Sequence, residues 1–323
     1  MKAIVYRAAG GPDVIAVEER PDPVPGSNQV LVRVKAAGLN RADLIQRCGG
    51  YPAPPGWPAD IPGLEYAGTI KQIGPGVTEW QVGDRVMGLV GGGSQAELLV
   101  THRRELLSVP AELDDEQAAA IPEAFLTAYD GLVVRGRVAG GERVLIHAVG
   151  SGVSTAAVQL ARWLGAIPVG TSRTAAKLEQ ARTLGMMEGI DTSLSGFQPR
   201  LSGPVNVILD YFGGPALGEN LASLAPKGRL VLLGTLQGAE ATNVNLGLIL
   251  RSRLEIIGTV MRSRPHEERV LLVEQFRAKV LPEFSAGGSF RPIVGEVFAM
   301  EQIALAHQAM EANRVFGKIV LRW

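Results

Sequence analysis

Between Val144 and Val260 the chain alternates short, continuous apolar runs with longer stretches whose apolar residues recur at helical spacing. The runs are Val144–Ala148, Ile167–Thr171, Val205–Asp210, Leu230–Gly234 and Leu254–Val260. The helical stretches are Val153–Leu164, Ala175–Leu184 and Ala216–Leu224. A strand that is apolar on both faces needs a helix on each side of its sheet. The pattern predicts an α/β fold with a doubly wound parallel sheet, assigned to residues 122–264.

The flanking segments follow another rhythm. Ala3–Tyr6, Gln29–Ala36, Gly68–Gly74 and Asp84–Val90 are short strand candidates, set off by Pro75-Gly76 and Val82-Gly83. This predicts a compact antiparallel barrel-like domain. Ala118–Val134 reads as helix, with Pro122 near an N-terminal turn. Beyond Val260, Glu267–Ala278 and Glu301–Asn313 read as helices, and Val294–Val297 and Phe316–Leu321 as strands. That tail is too short for a domain of its own. It is expected to fold back, so that residues 1–121 and 265–323 form one discontinuous domain.

Composition narrows the function classes. Lys plus Arg and Asp plus Glu are both 32 in 323 residues, so net charge steers the chain neither to nucleic acid nor to an anionic membrane. Cys48 is the only cysteine, which rules out an intramolecular disulfide and a multi-cysteine zinc site. The first residues lack a signal-peptide core, and no run of about 18 apolar residues suggests a membrane span. The expected address is cytoplasmic.

The chemistry concentrates at Val144–Leu160, where an apolar strand enters a small-residue turn that opens an apolar helix. Gly150, Ser151, Gly152 and Val153 are the candidate cradle for a dinucleotide pyrophosphate, facing unpaired helix N–H groups. The next strand ends in Ser172-Arg173-Thr174, with Lys177 beyond, where an NAD enzyme would place a ribose-binding carboxylate. Arg173 and Lys177 suit a 2′-phosphate, so NADPH is the expected cofactor. Their alternative role is to cap and solvate the following helix. Gly234, Thr235 and Leu236 follow a later strand and are candidate nicotinamide contacts. Gly258-Thr259 is a weaker one.

The segments Gly38–Asp43, Pro62–Gly68, Val82–Val86, Ala119–Ala128 and Val144–Leu160, with the tail Gly317–Leu321, resemble the zinc-independent quinone oxidoreductases of the medium-chain dehydrogenase/reductase superfamily. Within that family Leu39–Gln46, Ala118–Ala128 and Arg262-Ser263-Arg264 look most like the tumour-suppressor-inducible branch. The resemblance implies a GroES-like domain beside a Rossmann domain. It implies hydride or single-electron transfer from NADPH to a quinone in the interdomain cleft, and a homodimer, for which Leu254–Val260 is a candidate edge. It also implies that Asn40 and Tyr51 line the acceptor end, with Asp43 in the same segment. Asn40 and Leu64 stand where zinc alcohol dehydrogenases carry metal-binding cysteine and histidine, so no metal is expected.

Several positions read two ways. Asp43 suits a helix start as well as a site. Glu65 and His147 read as buried structural groups ahead of catalytic ones. Ser154 replaces a family glycine, and Thr192 stands where relatives carry a cofactor-contacting tyrosine. Both predict weakened or shifted cofactor binding. An enone or alkenal reductase is the alternative enzyme. An NADPH-sensing or RNA-binding protein is the alternative outside catalysis.

Overall fold

The computed structural model describes every residue of the chain except Ser195 and Asn243. The chain divides into two units, one of Met1–Leu126 with Met261–Trp323, the other of Thr127–Val260. Their strands and helices run, in chain order, β1 Lys2–Tyr6, β2 Ile15–Glu19, β3 Gln29–Leu39, α1 Arg41–Arg47, β4 Glu65–Ile73, β5 Arg85–Leu89, β6 Leu98–His102, β7 Leu106–Ser108, α2 Asp115–Ala119 and α3 Pro122–Tyr129. There follow β8 Arg143–Ile146, α4 Gly152–Trp163, β9 Ile167–Ser172, α5 Ala175–Arg182, β10 Glu188–Asp191, β11 Val205–Asp210, α6 Gly214–Ser223, β12 Leu224–Leu232, α7 Leu246–Ser252 and β13 Glu255–Gly258. The tail holds α8 His266–Lys279, β14 Val294–Ala299, α9 Ile303–Glu311 and β15 Lys318–Arg322.

The second unit is a six-stranded parallel sheet ordered β10-β9-β8-β11-β12-β13. Numbered within the unit, this is the 3-2-1-4-5-6 order of a Rossmann sheet, which reverses between β8 and β11. Leu145, Val169, Ile208 and Leu230 fill its core from four different strands. The apolar runs of the sequence are these strands. The additional strand, β10, reads Glu-Gly-Ile-Asp and is an edge, paired on one side only, so it needs little apolar surface.

The predicted helix Ala118–Val134 is three pieces. Pro122 supplies no N–H and disfavours helical backbone at the residue before it, so α2 ends at Ala119 and α3 begins at Pro122. After Tyr129 the coil widens into a π-helical turn over Asp130–Arg135, where Gly136 N–H bonds to Gly131 O at 2.8 Å.

In the first unit a seven-stranded sheet runs β14-β15-β3-β4-β5-β7, with β6 also on β3, and β1 pairs with β2 separately. The tail strand β15 lies antiparallel to β3, whereas β14 lies parallel to β15. The strands of residues 1–120 pair antiparallel, as their pattern predicts, and the parallel pair in this sheet joins the two tail strands. The parallel pair arises because α9 carries the chain back between the two tail strands. One core, around Val32, Tyr66, Val86 and Leu106, fills the sheet, and a second packs Ile4, Leu39, Ile303 and Leu321 under α9.

A hydrogen-bonded chain ties α9 to α1. Glu311 accepts from the buried Arg47 at 2.5 Å, and Arg47 donates to His307 Nδ1 at 3.0 Å. An arginine only donates, so His307 is neutral with its proton on Nε2, 3.4 Å from the Tyr6 hydroxyl, which reaches Asp43 O at 3.3 Å. Burial, with the Arg47 charge, pushes the imidazole pKa down to about 3. The unfolded chain therefore binds one more proton here between about pH 3 and its ordinary value near 6.5. This contribution to stability is complete above pH 6.5 and is lost as pH falls. Urea unfolding of the wild type and of His307→Gln around pH 5 should differ in pH slope by up to about 1.4 kcal/mol per unit, the wild type losing stability faster on acidification. Equal slopes would show that His307 is not held neutral.

Candidate active site

In the first unit, β3 delivers Asn40 to the start of α1 in extended backbone. Asp43, in the first turn of α1, accepts the Asn40 N–H on Oδ2 at 2.8 Å and the Gly63 N–H on Oδ1 at 3.2 Å. It is fully buried, and burial pushes its carboxyl up to about 6 against the pull of those donors. Both oxygens hold backbone, so Asp43 builds the helix start and clamps the Gly63 turn.

Glu65, also fully buried, opens β4 opposite Gly38 of β3. A Cβ at Gly38 would overlap the Glu65 carboxylate, so the close approach requires glycine there. Glu65 Oε1 accepts from Asn40 Nδ2 at 3.0 Å and pairs with the buried ammonium of Lys318. Its Oε2 accepts the Glu123 N–H at 2.8 Å. Lys318 also donates to Asn40 Oδ1 at 2.6 Å and Leu39 O at 3.0 Å, while Asn40 Nδ2 reaches Gly38 O at 3.3 Å. The Asn40 amide protons thus serve Glu65 and Gly38, and its oxygen faces the ammonium.

Tyr51 lies in the loop after α1, half-buried, with φ of +50°. The Arg262 guanidinium lies 5.1 Å from its ring centroid and donates to Tyr51 O at 2.5 Å, Gln46 Oε1 at 2.8 Å and Gly91 O at 2.7 Å. Burial, then the Glu123 carboxylate, push the phenol up to about 12, with Arg262 opposing, so it is protonated at neutral pH. Sequence reasoning singled out neither Lys318 nor Arg262 for the site. The signal for Lys318 was a lone charge leading the apolar run Ile319-Val320-Leu321. Buried there, it needs a counter-charge.

In the second unit, the β8-to-α4 turn passes through Ala148 at φ +47°. Ser151 caps α4 by accepting the Ser154 N–H at 3.2 Å, and its carbonyl takes the Thr155 N–H. The N–H groups of Gly152 and Val153 are left without partners among the described residues. Ser154 is fully buried, accepts from Ser151 Oγ and donates to His147 O, both at 2.8 Å. Its hydroxyl ties helix to strand and takes the place of the close packing a glycine would give. A Cβ at Gly150 would collide with the Lys177 stem, which places Lys177 over the turn.

Ser172 ends β9; its Oγ accepts the Thr174 N–H at 3.0 Å and its carbonyl the Thr192 N–H at 2.8 Å. Arg173 is exposed and has no side-chain bond or ion pair among the described residues. Thr174 stands at the N-terminus of α5 without a side-chain cap. Thus Gly150–Val153 and Lys177 come together, with Ser172–Thr174 and Thr192 grouped at the end of β9. Gly234, Thr235 and Leu236 instead lie against the β11 loop, Leu236 N–H bonding to Tyr211 O at 2.9 Å. His147 is fully buried between Thr171 Oγ1 at 3.0 Å and Asn220 Oδ1 at 2.7 Å, and burial lowers its pKa, so it is a satisfied neutral core group.

Among the described residues no three His, Cys, Asp or Glu side chains are grouped to hold a metal. Among the described residues no helix is long and apolar enough to cross a membrane.

Residues 152–277 match the zinc-binding dehydrogenase family, and residues 26–111 the alcohol dehydrogenase GroES-like domain. The chain is 34% identical over 327 residues to a quinone oxidoreductase of Pseudomonas aeruginosa, covering 99% of each. Among solved structures, a quinone oxidoreductase of Pseudomonas syringae pv. tomato superposes with a TM-score of 0.89 at 31% identity, over 100% of this chain and 99% of that one. A mycobacterial protein solved with NADPH superposes at 0.88 and 28% identity, over 100% of both chains.

Breaking the buried pair should be costly. Lys318→Met, which leaves Glu65 uncompensated, is expected to lose about 3–5 kcal/mol in urea unfolding. Adding Glu65→Gln should restore part of the loss. A double variant less stable than Lys318→Met would refute the pairing.

Proposed function

The chain belongs to the zeta-crystallin/VAT-1-like, zinc-independent branch of the medium-chain dehydrogenases/reductases, and on that premise we propose that NADPH is its donor and a quinone its acceptor. The chain is an NAD(P)H-dependent oxidoreductase of the quinone- and enone-reducing branch. NADPH is supported by the end of β9, where Arg173 extends without a partner among the described residues and no carboxylate follows Ser172.

The residues present fit such a cofactor. The free N–H groups of Gly152 and Val153 suit a pyrophosphate, and the Gly150 turn lies under a lysine stem. Gly150, Ser151, Gly152 and Val153 would hold the pyrophosphate. Ser172, Arg173, Thr174 and Lys177 would hold the 2′-phosphate, with Thr192 beside the ribose and Gly234, Thr235 and Leu236 at the nicotinamide end. NADPH, when bound, supplies the hydride. At the acceptor end Tyr51 offers a protonated phenol to a carbonyl oxygen. Asn40 and Asp43 act through the backbone and the buried network that fix α1. β13 ends the sheet with an unpaired edge, which supports a homodimer paired there.

Nicotinamide fluorescence titration tests the cofactor. NADPH should bind more tightly than NADH. Arg173→Ala should weaken NADPH by at least about tenfold, the worth of one charge-assisted bond, and leave NADH unchanged. Equal affinities in the wild type would remove the phosphate clamp. Turnover tests the acceptor end: Tyr51→Phe should lower kcat/KM for a quinone by about tenfold at unchanged NADPH affinity. A panel in which conjugated enones are reduced and quinones are not would replace the quinone reading.

A further inference from the structure

The N–H groups of Gly49 and Gly50 bond back to α1, and the chain then turns into Tyr51. Gly49 and Gly50 precede it, and Gly49 is itself at φ +87°. Tyr51 adopts φ +50°, a region that L-residues avoid, and it precedes Pro52, which disfavours any helical backbone before it. A tyrosine kept in that conformation needs an external tie.

That tie comes from Arg262, which is buried. Its planar fork takes one acceptor from each of three segments: Gln46 in α1, Tyr51 O in the loop and Gly91 O after β5. The same guanidinium covers the Tyr51 ring. Backbone and ring of Tyr51 are therefore gripped by one side chain. The position of Gly91 requires glycine, because a Cβ there would collide with the Trp57 ring further along the same loop as Tyr51. Only arginine spans this site. A lysine ammonium carries the charge but has no planar fork to reach three divergent acceptors.

We propose that Arg262 is the positioning residue of the acceptor site, holding Tyr51 in the orientation from which its phenol meets the acceptor carbonyl. This rests on the reading of Tyr51 as the acceptor-site donor. Arg262 acts through Tyr51 and touches no reacting atom.

The test combines turnover of 9,10-phenanthrenequinone with NADPH and amide hydrogen exchange over residues 48–57, in the wild type, Arg262→Lys, Arg262→Met, Tyr51→Phe and Arg262→Met/Tyr51→Phe. Arg262→Met should raise exchange in that segment and lower kcat/KM by at least about tenfold, with the NADPH dissociation constant within about twofold of wild type. The double variant should be no slower than the slower single one, because both remove the same phenol contact. Arg262→Lys should recover part of kcat while acceptor KM stays high, and it serves alone if the methionine variant does not fold. Additive losses in the double variant, or faster exchange with unchanged turnover, would overturn the proposal. A wild type that reduces no quinone while binding NADPH is the separate failure of the quinone reading. In that case exchange unchanged in Arg262→Lys would also remove the clamp.

Discussion

The buried pair of Glu65 and Lys318 organises the first unit. Two charges taken out of water cost several kcal/mol each in desolvation, and their attraction offsets this only when every remaining donor and acceptor is filled. Here they are filled. The ammonium has Glu65, Asn40 Oδ1 and Leu39 O; the carboxylate has Lys318, Asn40 Nδ2 and the Glu123 N–H. The group therefore ties the end of β3, the starts of β4, α3 and β15, and the N-terminus of α1 to one point. Its value is specificity of register: a slip of β15 along β3 would strand an unpaired charge inside the sheet. A hydrophobic trio of equal volume would pack there without choosing that register.

The same network changes what Asn40 and Asp43 do. Asn40 was expected to line the acceptor end, with Asp43 in the same segment and equally suited to a helix start. Asn40 spends its amide protons on Glu65 and Gly38, and Asp43 spends both oxygens on backbone N–H groups. They read as residues that fix where α1 starts, and hence where the Tyr51 loop leaves it. On the proposed reading, the polar group at the acceptor end is the Tyr51 phenol, under Arg262.

How much of this was legible depended on whether the signal was local. The parallel strands could be read because burial on both faces leaves continuous apolar runs, and the β8–α4 turn because its small residues sit between a strand and a helix. β10 and α1 escaped because an edge strand and a seven-residue polar helix leave little periodicity. The Ser154 hydroxyl has an internal acceptor in His147 O, a contact that spacing does not reveal. Lys318 and Glu65 were each visible as a lone charge in an apolar setting, yet nothing in sequence order pairs residues so far apart. Arg262 was the least legible, since two of its three acceptors are backbone carbonyls, which carry no residue identity.

The proposed quinone acceptor would explain why so spare an acceptor end suffices. Hydride addition to a quinone carbonyl system yields an aromatic, delocalised anion, which asks for a hydrogen bond more than for rapid protonation. A phenol raised to about 12 remains a donor across the neutral range and does not ionise under the nearby Arg262 charge. An enone makes a harder demand: its enolate must be protonated on carbon, which calls for a proton source placed at that carbon. At this end, Asp43 and Glu65 are buried and committed to internal donors, and the Glu123 carboxylate helps to keep the phenol protonated. On the proposed reading, a held phenol is matched to stabilising charge on oxygen. On that reading, the hold on Tyr51 would set the selectivity for acceptor class.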